Sequence, residues 1–253
     1  MQINRASVKL KAQELIRTSR PRVISAGLLV LLLSILIGTL SNHIMLGNVA
    51  QEDILRLAEY YENGNFESAA LIAESMGPSP MGAVIQFALQ VVSVIVDAGF
   101  IIFLLNTIRN AGACLGNLLD GFGMFFKIIW LSILQSIFVS LWTMLFIIPG
   151  FIAMYRYRMA MYILIDDPTK SALTCIRESK AMMHNHKAEL FVFDLSFIGW
   201  ALLASIPYLG YLVQVWSFPY MQMSYALYYD ALKNQPFYTF GQNTPPWENG
   251  PVS

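Results

Sequence analysis

Long uninterrupted apolar runs dominate the chain, and its polar residues collect between these runs instead of alternating within them. Residues 23–40 and 128–148 carry no charge, residues 81–108 carry only Asp97, and residues 190–208 carry only Asp194. Residues 211–229 are uncharged but aromatic-rich and interrupted by Pro219, and residues 150–165 are short and contain Arg156 and Arg158. A helix rises 1.5 Å per residue, so about 20 mainly apolar residues cross about 30 Å of hydrocarbon with every backbone polar group satisfied internally. The pattern predicts an all-α integral membrane protein, a bundle of about six transmembrane helices at residues 23–40, 81–108, 127–148, 150–166, 189–208 and 211–230. The first run is too long for a signal peptide and lacks an A-x-A site after it, so it is expected to stay as an anchor.

The segments between the runs have their own patterns. In residues 1–22, Val8, Leu10, Leu15 and Ile16 lie among basic residues, which predicts a basic amphipathic helix on the cytoplasmic surface, drawn to anionic lipid. In residues 41–80, Ile54, Leu57, Ala58 and Tyr61 repeat at helical spacing before the turn Asn63-Gly64-Asn65 and a second apolar stretch, so a short acidic extracellular helical hairpin is expected. Asp166-Asp167-Pro168 introduces an amphipathic cytoplasmic helix within residues 167–188. Gly112, Gly116, Gly121 and Gly123 loosen the cytoplasmic connection 109–126, and the proline-rich residues 231–253 read as a disordered cytoplasmic tail.

Charge fixes the expected orientation. The 253 residues are 56% hydrophobic and 13% charged, about half the usual charged share of a soluble domain, with a net charge of +0 that argues against nucleic acid as a partner. Arg5, Lys9, Lys11, Arg17, Arg20 and Arg22 precede the first run, whereas residues 41–80 hold six acidic residues against Arg56 alone. Basic loops stay cytoplasmic, so both termini are placed inside. Residues 109–126 and 167–188 are also bracketed by Lys and Arg, and they share a side only if the residues between them cross twice. That requirement makes 150–166 a span despite its arginines. Cys114 and Cys175 then fall on the reducing side and read as free thiols.

Each arginine near the centre of a span costs about 2.5–3.5 kcal/mol, whereas an apolar residue returns only about 0.3–0.6 kcal/mol. Arg156 and Arg158 are therefore expected to snorkel beside Tyr155 and Tyr157 or to pair with the intramembrane carboxylates Asp97 and Asp194, with Asp97 pairing one of them. In the third span Ser132, Gln135, Ser136, Ser140 and Thr143 share one helical face. Such a stripe either lets helices pack closely or lines a polar pathway.

Catalytic signatures are missing from the sequence. His184-Asn185-His186 lacks the spacing and partner ligands of a metal site, His43 stands alone, and there is no nucleophile elbow, Walker loop or dinucleotide fingerprint. Neither a metal nor another cofactor is expected. The stretch from Pro149 to Ala160, with Tyr162-Ile163-Leu164 and Asp167-Pro168, resembles a bacterial integral membrane family named only as domain of unknown function 975. So do the segments Glu178 to Met183, Phe197-Ile198-Gly199-Trp200, Pro219-Tyr220 and Ala226 to Tyr229; the resemblance covers nearly the whole chain and is most specific over residues 122–232. It implies a multi-span protein of the cell membrane of Gram-positive-type bacteria and brings no activity with it. The expected role is a non-enzymatic accessory or assembly component, in contact with the lipid bilayer and with a membrane-protein partner or a second copy of itself. The alternative is a small-molecule or ion transporter or channel whose pathway is lined by the third span.

Overall fold

A computed structural model describes residues 5–19, 23–46, 51–77, 79–206 and 209–234, and among these there is no β-strand. In chain order the helices are α1 (Arg5–Thr18), α2 (Val23–Leu46), α3 (Gln51–Glu62), α4 (Phe66–Ser75), α5 (Pro80–Ile108), α6 (Asn117–Asp120), α7 (Phe125–Leu145), α8 (Ile147–Tyr157), α9 (Ala160–Asp166), α10 (Ala172–Met182), α11 (Lys187–Leu195), α12 (Ile198–Ala204) and α13 (Leu209–Lys233). A 3-10 turn, Gly121–Met124, joins α6 to α7. Three stretches are long and apolar enough to cross a membrane: Val23–Ile44, Pro80–Ile108 and Asn117–Leu145. The expected tail from residue 235 onward lies outside the described residues, and the last helix continues to Lys233, past its expected end at 230.

The chain divides into two compact units, Leu32–Ser93 and the combination of Met1–Leu31 with Val94–Ser253. In the smaller one, α3 and α4 pair through the turn Asn63-Gly64-Asn65, where Gly64 takes φ 68°. Asn65 caps α4 by accepting from the Ser68 amide at 3.2 Å, and the rings of Tyr61 and Phe66 meet edge to face across the turn.

The larger unit is built around two antiparallel hairpins. In the first, α7 ends at Leu145, Phe146 is extended (φ −157°, ψ 143°), and α8 turns back along α7. Ile147 and Ile148 therefore open α8 and do not close the third span. Pro149 fits the first turn of α8, where an amide proton has no partner in any case. Gly150 permits the close approach: a Cβ there would lie 2.8 Å from the Cα of Thr143. Farther along, Gln135 donates to the carbonyl of Tyr157, and Lys127 at the start of α7 donates to the carbonyl of Pro168 beyond α9. Together α8 and α9 thus return along the length of α7.

In the second hairpin, α11 and α12 run antiparallel to α13. Gly210 sits against the Ala204 carbonyl at the turn, and the rings of Phe197 and Phe193 pack on Tyr220, Tyr225 and Tyr228 of α13. On α13, Pro219 is met by Gly27 of α2, where a Cβ would come within 2.7 Å of the proline ring.

Several expectations change here. The runs 150–166 and 189–208 are not continuous helices: the first breaks at Arg158-Met159 and the second at Ser196-Phe197. The basic helix α1 buries Val8, Ala12 and Ile16 at four-residue spacing and packs on α13, while Leu10, expected on the same apolar face, is exposed. The glycine-rich connection is not loose throughout. Gly121 is buried against the Ile95 carbonyl, and Gly99 lies so near the Leu118 backbone that a Cβ would fall 2.1 Å from its oxygen. Asp166-Asp167-Pro168 does not start the next helix: Asp167 accepts from the Thr169 amide, and Ser171 caps α10.

Candidate functional site

A broken helix leaves backbone groups without intrahelical partners, and in a low-dielectric setting each must find another. At the α8–α9 break the Tyr157 carbonyl accepts from Gln135 Nε2 at 2.6 Å and the Arg156 carbonyl accepts from Ser179 Oγ at 2.8 Å. The Met159 amide donates to the same Ser179 hydroxyl at 3.2 Å. One side chain of α7 and one of α10 therefore hold the break. At the α11–α12 break, the Lys9 ammonium of α1 donates to Ser196 Oγ at 2.5 Å and lies 4.3 Å from the centre of the Phe197 ring. Lys9 is pushed below its ordinary lysine range, first by burial and then by neighbouring Arg5.

The two breaks flank a polar knot. Asp194 of α11 accepts one hydroxyl on each oxygen, Tyr155 of α8 at 2.9 Å and Tyr225 of α13 at 2.9 Å. The guanidinium of Arg158, at the first break, stacks over the Tyr225 ring at 4.4 Å. Beside the knot is an open pocket of about 260 Å³ walled by Tyr155, Phe191, Phe197, Met221 and Tyr225, with Asp194 the one charged group among its described lining residues.

A second knot closes the end of the same unit. The Asp166 carboxylate, whose side chain is only 6% exposed, receives Arg109 on both oxygens (2.5 and 3.1 Å), Lys233 at 2.7 Å and the Tyr229 hydroxyl at 2.6 Å. Arg109 also reaches Asp230 at 3.3 Å. The ends of α5, α9 and α13 are joined there, and with the Lys127 contact these ties gather the connections after α5 and after α9 at one end.

Of the charged residues expected to cluster, the structure brings Arg158 and Asp194 together through Tyr225, without a direct ion pair among the described residues. Arg156 contributes its backbone carbonyl to the break. The expected pairing of Asp97 with an arginine is not found: Asp97 makes neither an ion pair nor a hydrogen bond among the described residues. Its neighbours on α5, Val96 and Ala98, are the buried ones. Of the third-span stripe, Gln135 and Thr143 face α8, Ser132 is half-buried, and Ser136 and Ser140 are exposed. Ser179, Tyr155, Tyr225 and the Asp166 group carry no local sequence signal, because their partners lie tens to more than a hundred residues away. His186 pairs with Glu189 at 2.7 Å and His184 is exposed; among the described residues no three His, Cys, Asp or Glu gather as metal ligands.

These features define a chain that is helical, without strands, over its described residues, with three helices fit to cross a membrane and two further apolar segments that break beside a half-buried tyrosine-bound carboxylate. Residues 144–236 match the family described as "Protein of unknown function (DUF975)". The match bears out the resemblance read from the sequence, and its extent is narrower than the near-complete coverage expected; it takes in both breaks and the Asp194 pocket. No curated protein and no solved structure matches the chain.

Proposed function

We propose that the chain is a non-enzymatic accessory or assembly component of a bacterial cell membrane, crossing it six times with both ends in the cytoplasm. The reading is supported most by how the internal polar groups are engaged. Gln135, Ser179 and Asp194 all bind other parts of the same chain, so the interior serves cohesion. The outward surface of the first hairpin is strongly apolar, with Met144 89% and Ile148 74% exposed, a face suited to lipid and to a neighbouring transmembrane helix. Because α8 and α9 run back along α7, a crossing by α7 supports a return crossing by the broken pair. Its non-helical backbone is covered by protein, the condition for such a break at membrane depth.

The test is to cross-link a tagged chain in its native membrane and identify what co-purifies near stoichiometry. One dominant protein supports the reading, and a chain recovered alone or only with itself counts against it. The transport alternative draws on one observation: two discontinuous helices meeting beside a charged group is an arrangement transporters use at their sites. Under that alternative, cysteines placed at Ser136 and Ser140, both exposed on the chain, react with a membrane-impermeant thiol reagent; under the accessory reading lipid or a partner helix covers them and they do not react.

A further inference from the structure

We infer that the pocket beside Asp194 holds the headgroup of a zwitterionic phospholipid bearing a primary ammonium, with the ammonium at the Asp194 carboxylate and the phosphate toward Arg158. The two tyrosine hydroxyls use one acceptor position on each Asp194 oxygen, and a carboxylate offers about four in all. Positions for a further donor therefore remain, on a carboxylate that lines an open pocket instead of being sealed in the core. Its walls include the aromatic residues Tyr155, Phe191, Phe197 and Tyr225, which favour an ammonium over an anion; Phe197 already carries the Lys9 ammonium and Tyr225 the Arg158 guanidinium.

Arg158 decides between a simple cation and a zwitterion. Its guanidinium lies against Tyr225, a wall of the pocket, and makes no ion pair or hydrogen bond among the described residues. A lone cation at Asp194 meets the repulsion of that guanidinium. A headgroup carrying both charges gives each protein charge an opposite partner, the usual condition for charge inside a membrane protein. Guanidinium also binds phosphate with well-matched geometry.

Size and surroundings agree with this assignment. Drug-sized ligands occupy pockets of about 300–1,000 Å³, so a volume of about 260 Å³ suits a headgroup but not a whole lipid. The rim residues Phe191 and Ile198 are exposed and apolar, and Leu202 continues that surface on α12, so acyl chains have an apolar face to lie on. An anionic phosphatidylglycerol-type lipid lacks the ammonium and meets the Asp194 charge without compensation. The inference is independent of whether a protein partner exists.

The test uses the purified full-length chain in detergent, offered equal amounts of phosphatidylethanolamine, phosphatidylglycerol and phosphatidylcholine, with retained lipid read by native mass spectrometry. Wild type is expected to retain phosphatidylethanolamine about tenfold or more over the other two, the scale of a charge-assisted hydrogen bond. Asp194→Asn is expected to abolish the preference. If that variant does not fold, Ile198→Trp, which crowds the exposed mouth and leaves the tyrosine contacts in place, is expected to reduce retention similarly. Equal retention of the three lipids by wild type overturns the proposal. So does an undiminished preference in a folded Asp194→Asn chain or, where that variant does not fold, in Ile198→Trp.

Discussion

Two cysteines of similar sequence appearance differ in their surroundings. Cys114 is exposed, whereas Cys175 is buried in α10, and burial with nearby Glu178 pushes its thiol from an ordinary value near 9 up to about 11. At pH 8 a maleimide is expected to label the folded chain at Cys114 only and to label both thiols after denaturation, which mass spectrometry of the peptides resolves. The folded state favours the neutral Cys175 thiol. Its contribution to stability is therefore constant below about pH 9 and falls as pH rises from 9 towards 11. Gly150 makes a steric prediction. A Cβ there meets backbone as well as side chain of Thr143, so Gly150→Ala must open the α7–α8 hairpin and is expected to cost about 1–3 kcal/mol, measured by unfolding in mixed micelles. Gly150 stood in the sequence as part of a family-like stretch, but only the structure shows which atoms its missing side chain lets approach.

At the scale of elements, the long apolar helices were legible because their signal is local. A run such as residues 128–148 has only one way to satisfy its backbone in hydrocarbon, and it forms a helix for nearly its whole length. The broken segments were not legible. Neither Arg158-Met159 nor Ser196-Phe197 contains glycine or proline, the residues that usually mark a break, and what stabilises the first break is supplied by Gln135 and Ser179 from other helices. Ser179→Ala leaves an amide and a carbonyl of the break unbonded and is expected to destabilise the chain by about 2 kcal/mol; Gln135→Leu should cost about 1 kcal/mol. Because both side chains buttress one break, the double variant is expected to lose less than the sum of the two. Chemical denaturation of the four chains in a double-mutant cycle measures this, and strict additivity contradicts the shared role.

At the scale of the whole chain, the ion knot at Asp166 was beyond a local reading, since Arg109, Tyr229 and Lys233 reach it from 57, 63 and 67 residues away. The sequence did announce that basic residues would gather after α5 and around α10. It did not announce that an acidic residue at the end of α9 would bind two of the chain's cations. Asp166→Ala takes the carboxylate from Lys233 and Tyr229 and leaves Arg109 with Asp230 alone, and is expected to lower stability by about 2 kcal/mol, whereas Lys233→Ala leaves Arg109 and Tyr229 on the carboxylate and is expected to cost under about 1 kcal/mol. Thermal unfolding of the two variants distinguishes these outcomes, and equal losses count against Asp166 as the centre of the knot. The packing of α1 on α13 has a further consequence, which concerns time instead of energy. The ribosome makes α1 almost two hundred residues before α13, so until α13 has been made the stripe of Val8, Ala12 and Ile16 lacks the helix it packs on. A nascent chain stalled before residue 209 therefore presents a bare amphipathic helix to membrane lipid or to a chaperone, and only translation of the last helix withdraws it.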